Sequence, residues 1–260
     1  MKLRNQAKRK VLGGFTKVYL DQYWPETPES ALGWTDNAVL MLAYQDAGLA
    51  VLKHFGGKPM PLLDVSTGPA LAPLLALLTC VSEVQLSDYN LDNRLALQEM
   101  DVSYWRNYVP MLTKIYDEPY NHVDEILGYL DRKKSQKLPV NVDLFNDPIF
   151  PPTVSVDNFP IVSMNFVADS IASNRQDYFA CLGKVLNLVR SGGAFIMSAV
   201  VDSNGWSLGQ ELEPSPNVSE KIITDFLVSN GLVIKNISRS MRYSDLSYSG
   251  GWIVLAATKE

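Results

Sequence analysis

Short apolar stretches alternate along this chain with longer segments in which apolar residues recur every three or four positions. Helical spacing predicts helices at Ala70–Leu78, Asp92–Met100 and Asp177–Val189. Strands that alternate with helices favour a mostly parallel sheet covered by helices on both faces, so we predict a doubly wound α/β fold. Five stretches have the length and composition of its buried strands: PLLDV, EVQLS, VNVDLF, FPIVSMNFV and AFIMSAVV.

The two ends of the chain extend this prediction. Residues 15–55 look mostly helical and end at the stop signal Gly56-Gly57-Lys58-Pro59. A helix at Ser219–Asn230 precedes two further strands, LVIKNIS and GWIVLAATK, which a loop without a helix joins, so they should pair antiparallel. We expect a single domain over 1–260 with seven strands, an antiparallel last strand, a helical cap at 1–55 and a helical insert at 103–138.

Composition argues against several classes of protein. The net charge of −5 does not suit a general nucleic-acid binder, and two histidines are too few for a His-rich metal site. Cys80 and Cys181 lie in apolar contexts without ligand spacing, which predicts buried free thiols in a reducing compartment. No apolar run reaches the roughly 18 residues of a membrane span. The basic residues 1–17 lack the apolar core of a signal peptide, so we expect a cytoplasmic protein.

The turn after the first strand, in LLDVSTGPALAPLL, predicts a ligand site. Ligands of doubly wound sheets bind outside the carboxyl ends of the strands. The small residues Ser66, Thr67 and Gly68 would let the backbone approach a ligand there. Asp88 follows Gly68 by twenty residues and ends the second strand, where a carboxylate can accept hydrogen bonds from a ribose diol. The sequence therefore predicts a ligand that carries a nucleoside.

The same turn does not suit a pyrophosphate. Only one glycine of the G-x-G-x-x-G pattern is present, Pro69 has no backbone N–H, and no P-loop occurs. Asp64, at the end of the strand, could face a cation or the ammonium of an amino acid. This combination favours S-adenosylmethionine, which has no phosphates but carries a sulfonium and an amino acid tail.

Four separated segments resemble one known family in the same order. They are FTKVYLDQYW, DVSTGPALAPLLAL with LSDYNLDN, IMSAVVDSNGWSLGQELEPSPNVSEKIITDFLVSNGL, and GWIVLAATK. From about Phe15 to Lys259 the chain resembles the class I methyltransferases of the nicotinamide, phenylethanolamine and thioether type. The resemblance implies a Rossmann-like fold, the cofactor S-adenosyl-L-methionine, an N-terminal helical lid and a monomer.

The resemblance also assigns roles by position. It implies a cofactor turn, a ribose acid, an adenine-stacking ring with a nearby amide, an acid beside the adenine, and a wall under the methionine moiety. The cofactor turn falls on Ser66, Thr67 and Gly68, and the acid that binds the ribose falls on Asp88. The adenine-stacking ring falls on Tyr89, the nearby amide on Asn93, and the acid beside the adenine on Asp143, with Leu144 next to it. The wall under the methionine moiety falls on Met164, Asn165 and Phe166. The lid aromatics fall on Tyr19, Tyr23 and Trp24, and the substrate loop falls near Asp202 and Trp206.

The implied reaction is N-methylation of a small amine or heteroaromatic nitrogen. In-line transfer from a sulfonium mainly requires that the reactants are aligned and water is excluded. Asp169 or Asp202 could bind a cationic substrate and take its proton, and Tyr19, Tyr23, Trp24 and Trp206 are candidates for an aromatic cage. We therefore name Tyr19, Asp169 and Asp202 as catalytic candidates. The same three residues and Trp206 are the substrate-binding candidates.

Other functions remain open at this point. The acceptor could be an oxygen, a sulfur or a guanidino group. A catalytically silent scaffold is a further alternative because the first glycine of the family's turn is Ser66 here. A Cβ at that position either narrows the approach to the cofactor or requires a negative φ. A nicotinamide-dependent dehydrogenase ranks last because the glycines are missing.

Overall fold

A computed structural model describes residues 15–25, 34–78, 80–99, 102–109, 128, 131, 139–154, 159–208, 211–240 and 250–260. Its strands are β1 (Met60–Asp64), β2 (Val81–Asp88), β3 (Val140–Asn141), β4 (Phe159–Asn165), β5 (Val189–Val200), β6 (Gly205–Leu208), β7 (Glu211–Pro214), β8 (Leu232–Ser240) and β9 (Trp252–Lys259). Its helices are α1 (Phe15–Tyr23), α2 (Trp34–His54), α3 (Ala72–Leu77), α4 (Leu91–Glu99), α5 (Ala168–Ile171), α6 (Arg175–Leu186) and α7 (Glu220–Ser229), with a 3-10 helix at Val102–Tyr108.

Seven of these strands form one sheet in the order β3-β2-β1-β4-β5-β9-β8. Every neighbouring pair from β3 to β5 is parallel, whereas β9 runs antiparallel to both β5 and β8. The predicted Rossmann-like sheet with its antiparallel last strand is confirmed. Strand order reverses between β1 and β4, which is where doubly wound sheets bind their ligands.

Alternating side chains of the strands build a core on each face of the sheet. Leu62 and Ile161 face the side covered by α2 and α3, and Leu63 and Val162 face the side covered by α6; all four are fully buried. The alternation continues to the carboxyl ends of the strands. It therefore places Asp64, two positions after Leu62, on the α2 face.

Several predicted boundaries differ from the observed ones. VNVDLF forms only the short strand β3, because the chain turns at Asp143, whose Oδ1 accepts the backbone N–H of Phe145 at 3.1 Å. Helix α6 ends at Leu186 instead of Val189, because Val189 already pairs with Phe159 in the sheet. The hairpin of β6 and β7, in the predicted substrate loop, was not predicted at all.

Several features lie partly or wholly outside the description. Of the predicted helical insert at 103–138, the structure describes only residues 103–109, 128 and 131. Residues 1–14 and 26–33 of the predicted cap also lie outside the described residues.

Cys80 and Cys181 are free and buried, as predicted. Within the described ranges, no helix is long and apolar enough to cross a membrane, and no cluster of metal-binding side chains occurs.

Candidate cofactor and substrate site

The turn after β1 is held against the end of β2. The backbone N–H of Thr67 donates to the Ser87 carbonyl at 2.7 Å, and that of Ser66 to the Ser87 hydroxyl at 3.3 Å. Both Ser66 and Gly68 have a positive φ, of 57° and 66°. Ser66 thus keeps the left-handed backbone that a glycine favours, at a cost of about 1–2 kcal/mol. The negative-φ alternative for Ser66 is excluded in this structure, and its Cβ stays at the turn.

The Asp88 carboxylate lies directly behind this turn. Its Oδ2 accepts the N–H of Gly68 at 2.8 Å, and its Oδ1 accepts the N–H of Asn90 at 2.7 Å and Nδ2 of Asn93 at 3.1 Å. The side chain is buried, and this burial raises its pKa. A carboxylate offers about four lone-pair sites, so a ribose hydroxyl can still be accepted.

The residues assigned to the adenine gather at the neighbouring strand ends. Asp88 pairs with Asn141 of β3, and Arg94 joins these strands because its guanidinium donates to the Asp88 carbonyl at 2.7 Å and to Oδ1 of Asn141 at 2.9 Å. Buried Asp143 and Leu144 follow β3 after one intervening residue, Val142. Tyr89 follows β2 and is 37% exposed. The structure thus brings the assigned ribose and adenine residues to one edge.

Asp64 is a buried acid with two side-chain donors. Its Oδ1 accepts the Ser163 hydroxyl and Nδ2 of Asn165, the latter at 3.1 Å. Burial raises the pKa of this carboxyl to about 6, against the lowering effect of the hydrogen bonds. The other amide atom, Oδ1 of Asn165, is buried and has no hydrogen-bond partner. It is an acceptor that a ligand's N–H could satisfy.

A pocket lies beside Asp64 and joins segments far apart in the sequence. Phe166 is held at one wall with a φ of 53°, its N–H donating to the Ser198 carbonyl at 3.0 Å. Ala70, Pro73 and Leu74 were missed as site residues, since their apolar character indicates only a helix core. The lining residues are Tyr19, Trp24, Asp64, Thr67, Ala70, Pro73, Leu74, Asn165 and Phe166.

Helix α1 brings aromatic side chains to this pocket. The rings of Tyr19 and Tyr23 lie 5.2 Å apart, and Trp24 packs edge-on against Trp105 at 6.3 Å. Burial of the Tyr19 hydroxyl raises its pKa to about 12, so the phenol is neutral at physiological pH. Tyr19 and Trp24 line the pocket directly, whereas Tyr23 packs beside them.

Asp169 lies at the start of α5, close enough to Tyr19 to affect its pKa. Only 2% of the residue is exposed, its Oδ2 accepts the Val200 N–H at 3.2 Å, and its Oδ1 has no partner. Burial raises the pKa of this carboxyl to about 7. The negative charge of Asp169 also helps to raise the pKa of Tyr19. A carboxyl of that pKa can take up or release a proton near neutral pH.

Six of the assigned residues line the pocket, and the others, Asp169 among them, are not part of its lining. Asp202 is exposed, and its carboxylate pairs with Arg239 at 3.2 Å. The Met164 side chain belongs to the core on the opposite face of the sheet. Trp206 lies on β6, whose hairpin contacts α1.

A family model matches residues 15–260 of the chain, and its description is the NNMT/PNMT/TEMT family. The chain belongs to this family. It is therefore an S-adenosylmethionine-dependent methyltransferase, as the resemblance implied. Comparison with curated proteins gave no sequence match.

Solved structures of similar fold include other methyltransferases. One is the magnesium protoporphyrin IX methyltransferase of Synechocystis PCC 6803 with bound S-adenosylmethionine, at a TM-score of 0.50 and 12% identity over 88% of this chain and 84% of that one. Another is the 1,6-didemethyltoxoflavin-N1-methyltransferase of Burkholderia thailandensis, at 0.49 and 16% over 87% and 80%. At such low identity the first likeness supports the fold alone.

The residues at the strand ends fit S-adenosylmethionine. The Asp88 carboxylate has a spare lone pair for a ribose hydroxyl, and the second buried acid, Asp64, lies beside the unpartnered Oδ1 of Asn165 and suits an ammonium. The described lining of the pocket contains no lysine or arginine that could pair with a phosphate.

Proposed function

We propose that this methyltransferase acts on the nitrogen of a small-molecule amine or heteroaromatic compound. The observation that carries the proposal is the pocket itself. Tyr19, Trp24 and Phe166 form aromatic walls beside the buried acid Asp64, and the described lining has no basic side chain. Such a pocket attracts cations and electron-poor rings by charge and by the quadrupoles of the aromatic faces. The bound cofactor supplies an electrophilic methyl group on its sulfonium.

On the cofactor side, the chain binds each polar group of the nucleoside and amino acid separately. Asp88 accepts a ribose hydroxyl, and Asp64 with Oδ1 of Asn165 holds the ammonium. The adenine and ribose edge is contacted by Tyr89, Asn93, Asp143 and Leu144. The turn approaches the cofactor through the backbone of Ser66, Thr67 and Gly68. The methionine side is closed by Tyr23, Trp24 and Phe166, and by the backbone of Met164.

On the substrate side, Tyr19 and Trp206 position the acceptor and Asp169 handles its proton. Asp169 binds a cationic substrate as carboxylate and takes its proton directly or through water. Its pKa of about 7 suits this exchange at neutral pH. Asp202 serves in the same way only when its ion pair with Arg239 opens. A pyridine-type nitrogen already has its lone pair and needs only alignment.

The proposal includes a cytoplasmic, monomeric, single-domain protein whose partners are its small-molecule substrate and cofactor, without nucleic acid or membrane. The alternative acceptors are an oxygen, a sulfur or a guanidino group. Family membership does not distinguish among these acceptors.

Two measurements test the proposed function. Calorimetric titration with S-adenosylmethionine and S-adenosylhomocysteine should give micromolar binding of both. Product masses after incubation with matched amines, heteroaromatic bases, alcohols and thiols should then increase by one methyl for a nitrogen compound. Methylation of the alcohols or thiols alone overturns the choice of nitrogen, and absence of binding by folded protein restores the scaffold alternative.

A further inference from the structure

A chain of side-chain hydrogen bonds joins helix α1 to the Asp88 carboxylate. The hydroxyl of Thr16 donates to Oδ1 of Asn93 at 2.6 Å, and Nδ2 of Asn93 donates to Oδ1 of Asp88 at 3.1 Å. The three residues lie on α1, α4 and β2, and 77 positions separate Thr16 from Asn93. We call these three residues the latch.

The direction of the latch is fixed by chemistry. An ionised carboxylate only accepts hydrogen bonds, so Asn93 must turn its NH2 group toward Asp88 and its carbonyl toward Thr16. Thr16 is therefore the required donor. Asn93 is 5% exposed, and loss of that donor would leave a buried amide oxygen without its partner.

The same face of α1 meets both the latch and the pocket. Thr16, Tyr19 and Tyr23 follow one another at spacings of three and four, which places them on one side of a helix. Tyr19 lines the pocket one turn after Thr16, and α1 also contacts β6. The position of the pocket wall thus depends on where Thr16 holds the start of the helix.

We propose that Thr16 is a positioning residue that couples the docking of α1 to the geometry of Asp88. The inference rests on the proposed binding of the ribose by Asp88. A nucleoside that holds Asp88 in place keeps Asn93 oriented for Thr16, and a docked α1 in turn keeps Asp88 oriented for the nucleoside. Such coupling is reciprocal, so binding of the cofactor's nucleoside half stabilises the docked α1 that forms the pocket wall.

Matched substitutions of threonine isolate the hydroxyl. Thr16→Val keeps the branched shape and removes the donor, whereas Thr16→Ser keeps the donor. Thr224→Val is the control, since the Thr224 hydroxyl donates to the carbonyls of Glu220 and Lys221 in its own helix α7. We expect Thr16→Val to raise the Kd for S-adenosylhomocysteine about three- to tenfold, and the other two variants to bind like the wild type.

Two further readouts separate coupling from a merely structural effect. In an Asn93→Ala background, Thr16→Val should no longer change the Kd, because the link to Asp88 is already broken. Lys17 is exposed on α1, so tryptic cleavage after it reports on docking of the helix. S-adenosylhomocysteine should slow this cleavage in the wild type and in Thr16→Ser but not in Thr16→Val.

The outcomes distinguish this inference from the proposed function. Wild-type protein that binds no S-adenosylhomocysteine overturns both. Wild-type binding with an unchanged Kd in Thr16→Val overturns the latch alone. A Thr16→Val effect that persists in the Asn93→Ala background does so as well, because the coupling would then not pass through Asn93.

Discussion

The backbone N–H of Gly68 lies 2.8 Å from a carboxylate oxygen of Asp88, although twenty positions separate them. This bond joins the turn after β1 to the end of β2. It fixes the acid that we assign to the ribose relative to the backbone that must approach the same ligand. The two features that the sequence suggested separately are therefore one unit.

Replacing Asp88 should weaken cofactor binding. Asp88→Ala removes the acceptor of a ribose hydroxyl and leaves the Gly68 N–H without its partner. We expect the binding free energy of S-adenosylhomocysteine to fall by about 1–3 kcal/mol in calorimetry. Asp225→Ala, on the exposed face of α7, is the control and should bind normally. An unchanged affinity in folded Asp88→Ala would show that the ribose assignment is wrong.

Cofactor binding should tighten as the pH rises through about 6. Asp64 has a pKa of about 6, and only its ionised form attracts the ligand's ammonium. We expect the Kd for S-adenosylhomocysteine to be roughly tenfold higher at pH 5 than at pH 7.5. Asp88 adds to this trend because burial raises its pKa too.

Asp64→Asn separates the two acids. The variant keeps an oxygen that can accept from Ser163 and Asn165, but it does not ionise. Its Kd should be higher than that of the wild type at pH 7.5 and should vary less between pH 5 and 7.5. An identical pH dependence in both proteins would rule out Asp64 as the ammonium partner.

Relieving the strain at Ser66 should stabilise the turn. Ser66→Gly and Ser66→Ala both lose the hydroxyl and differ only in the Cβ, which is unfavourable at a φ of 57°. We expect the glycine variant to unfold in urea with a free energy about 1 kcal/mol higher than the alanine variant, after the entropic cost of glycine. Equal stability, or a more stable alanine variant, would contradict the left-handed turn.

Neutralising Asp169 should stabilise the protein increasingly at higher pH. The folded protein keeps the Asp169 proton up to about pH 7, whereas the unfolded chain releases it near its ordinary value of 3.8. Between these values the folded state binds more protons, so the wild type's free energy of unfolding falls as the pH rises. Because asparagine does not titrate, the free energy of unfolding of Asp169→Asn does not fall in this way.

The advantage of Asp169→Asn should grow from near zero at pH 4 to, on the order of, 4 kcal/mol at pH 8. Urea unfolding across this pH range measures it, with Asp225→Asn as an exposed control. Activity should fall in the same variant because the proton acceptor is lost. A stability difference that is the same at every pH would mean that Asp169 is already ionised in the folded protein at pH 4.

Much of the fold could be predicted because its signals are local. The strands and the main helices follow from apolar periodicity, and α6 begins where Asn174 accepts the N–H of Asp177 at 2.9 Å. The hairpin of β6 and β7 was missed because WSLGQELEP carries weak alternation and its strands pair only with each other. The side of the sheet that Met164 faces was also missed, since a strand's register decides it.

The sequence by itself determined that Asp64 and Asp88 end their strands, since each follows a short strand-like stretch, whereas Asn165 lies inside the predicted strand FPIVSMNFV. The tertiary structure alone decided what those residues contact. Asn165 donates a hydrogen bond to Asp64, 101 positions away in the sequence, and Thr16 donates one to Asn93, 77 positions away. Arg239 donates one to Asp202, 37 positions away. Hydrogen bonds act over about 3 Å, so such partners become neighbours only after the strands pair and the helices pack.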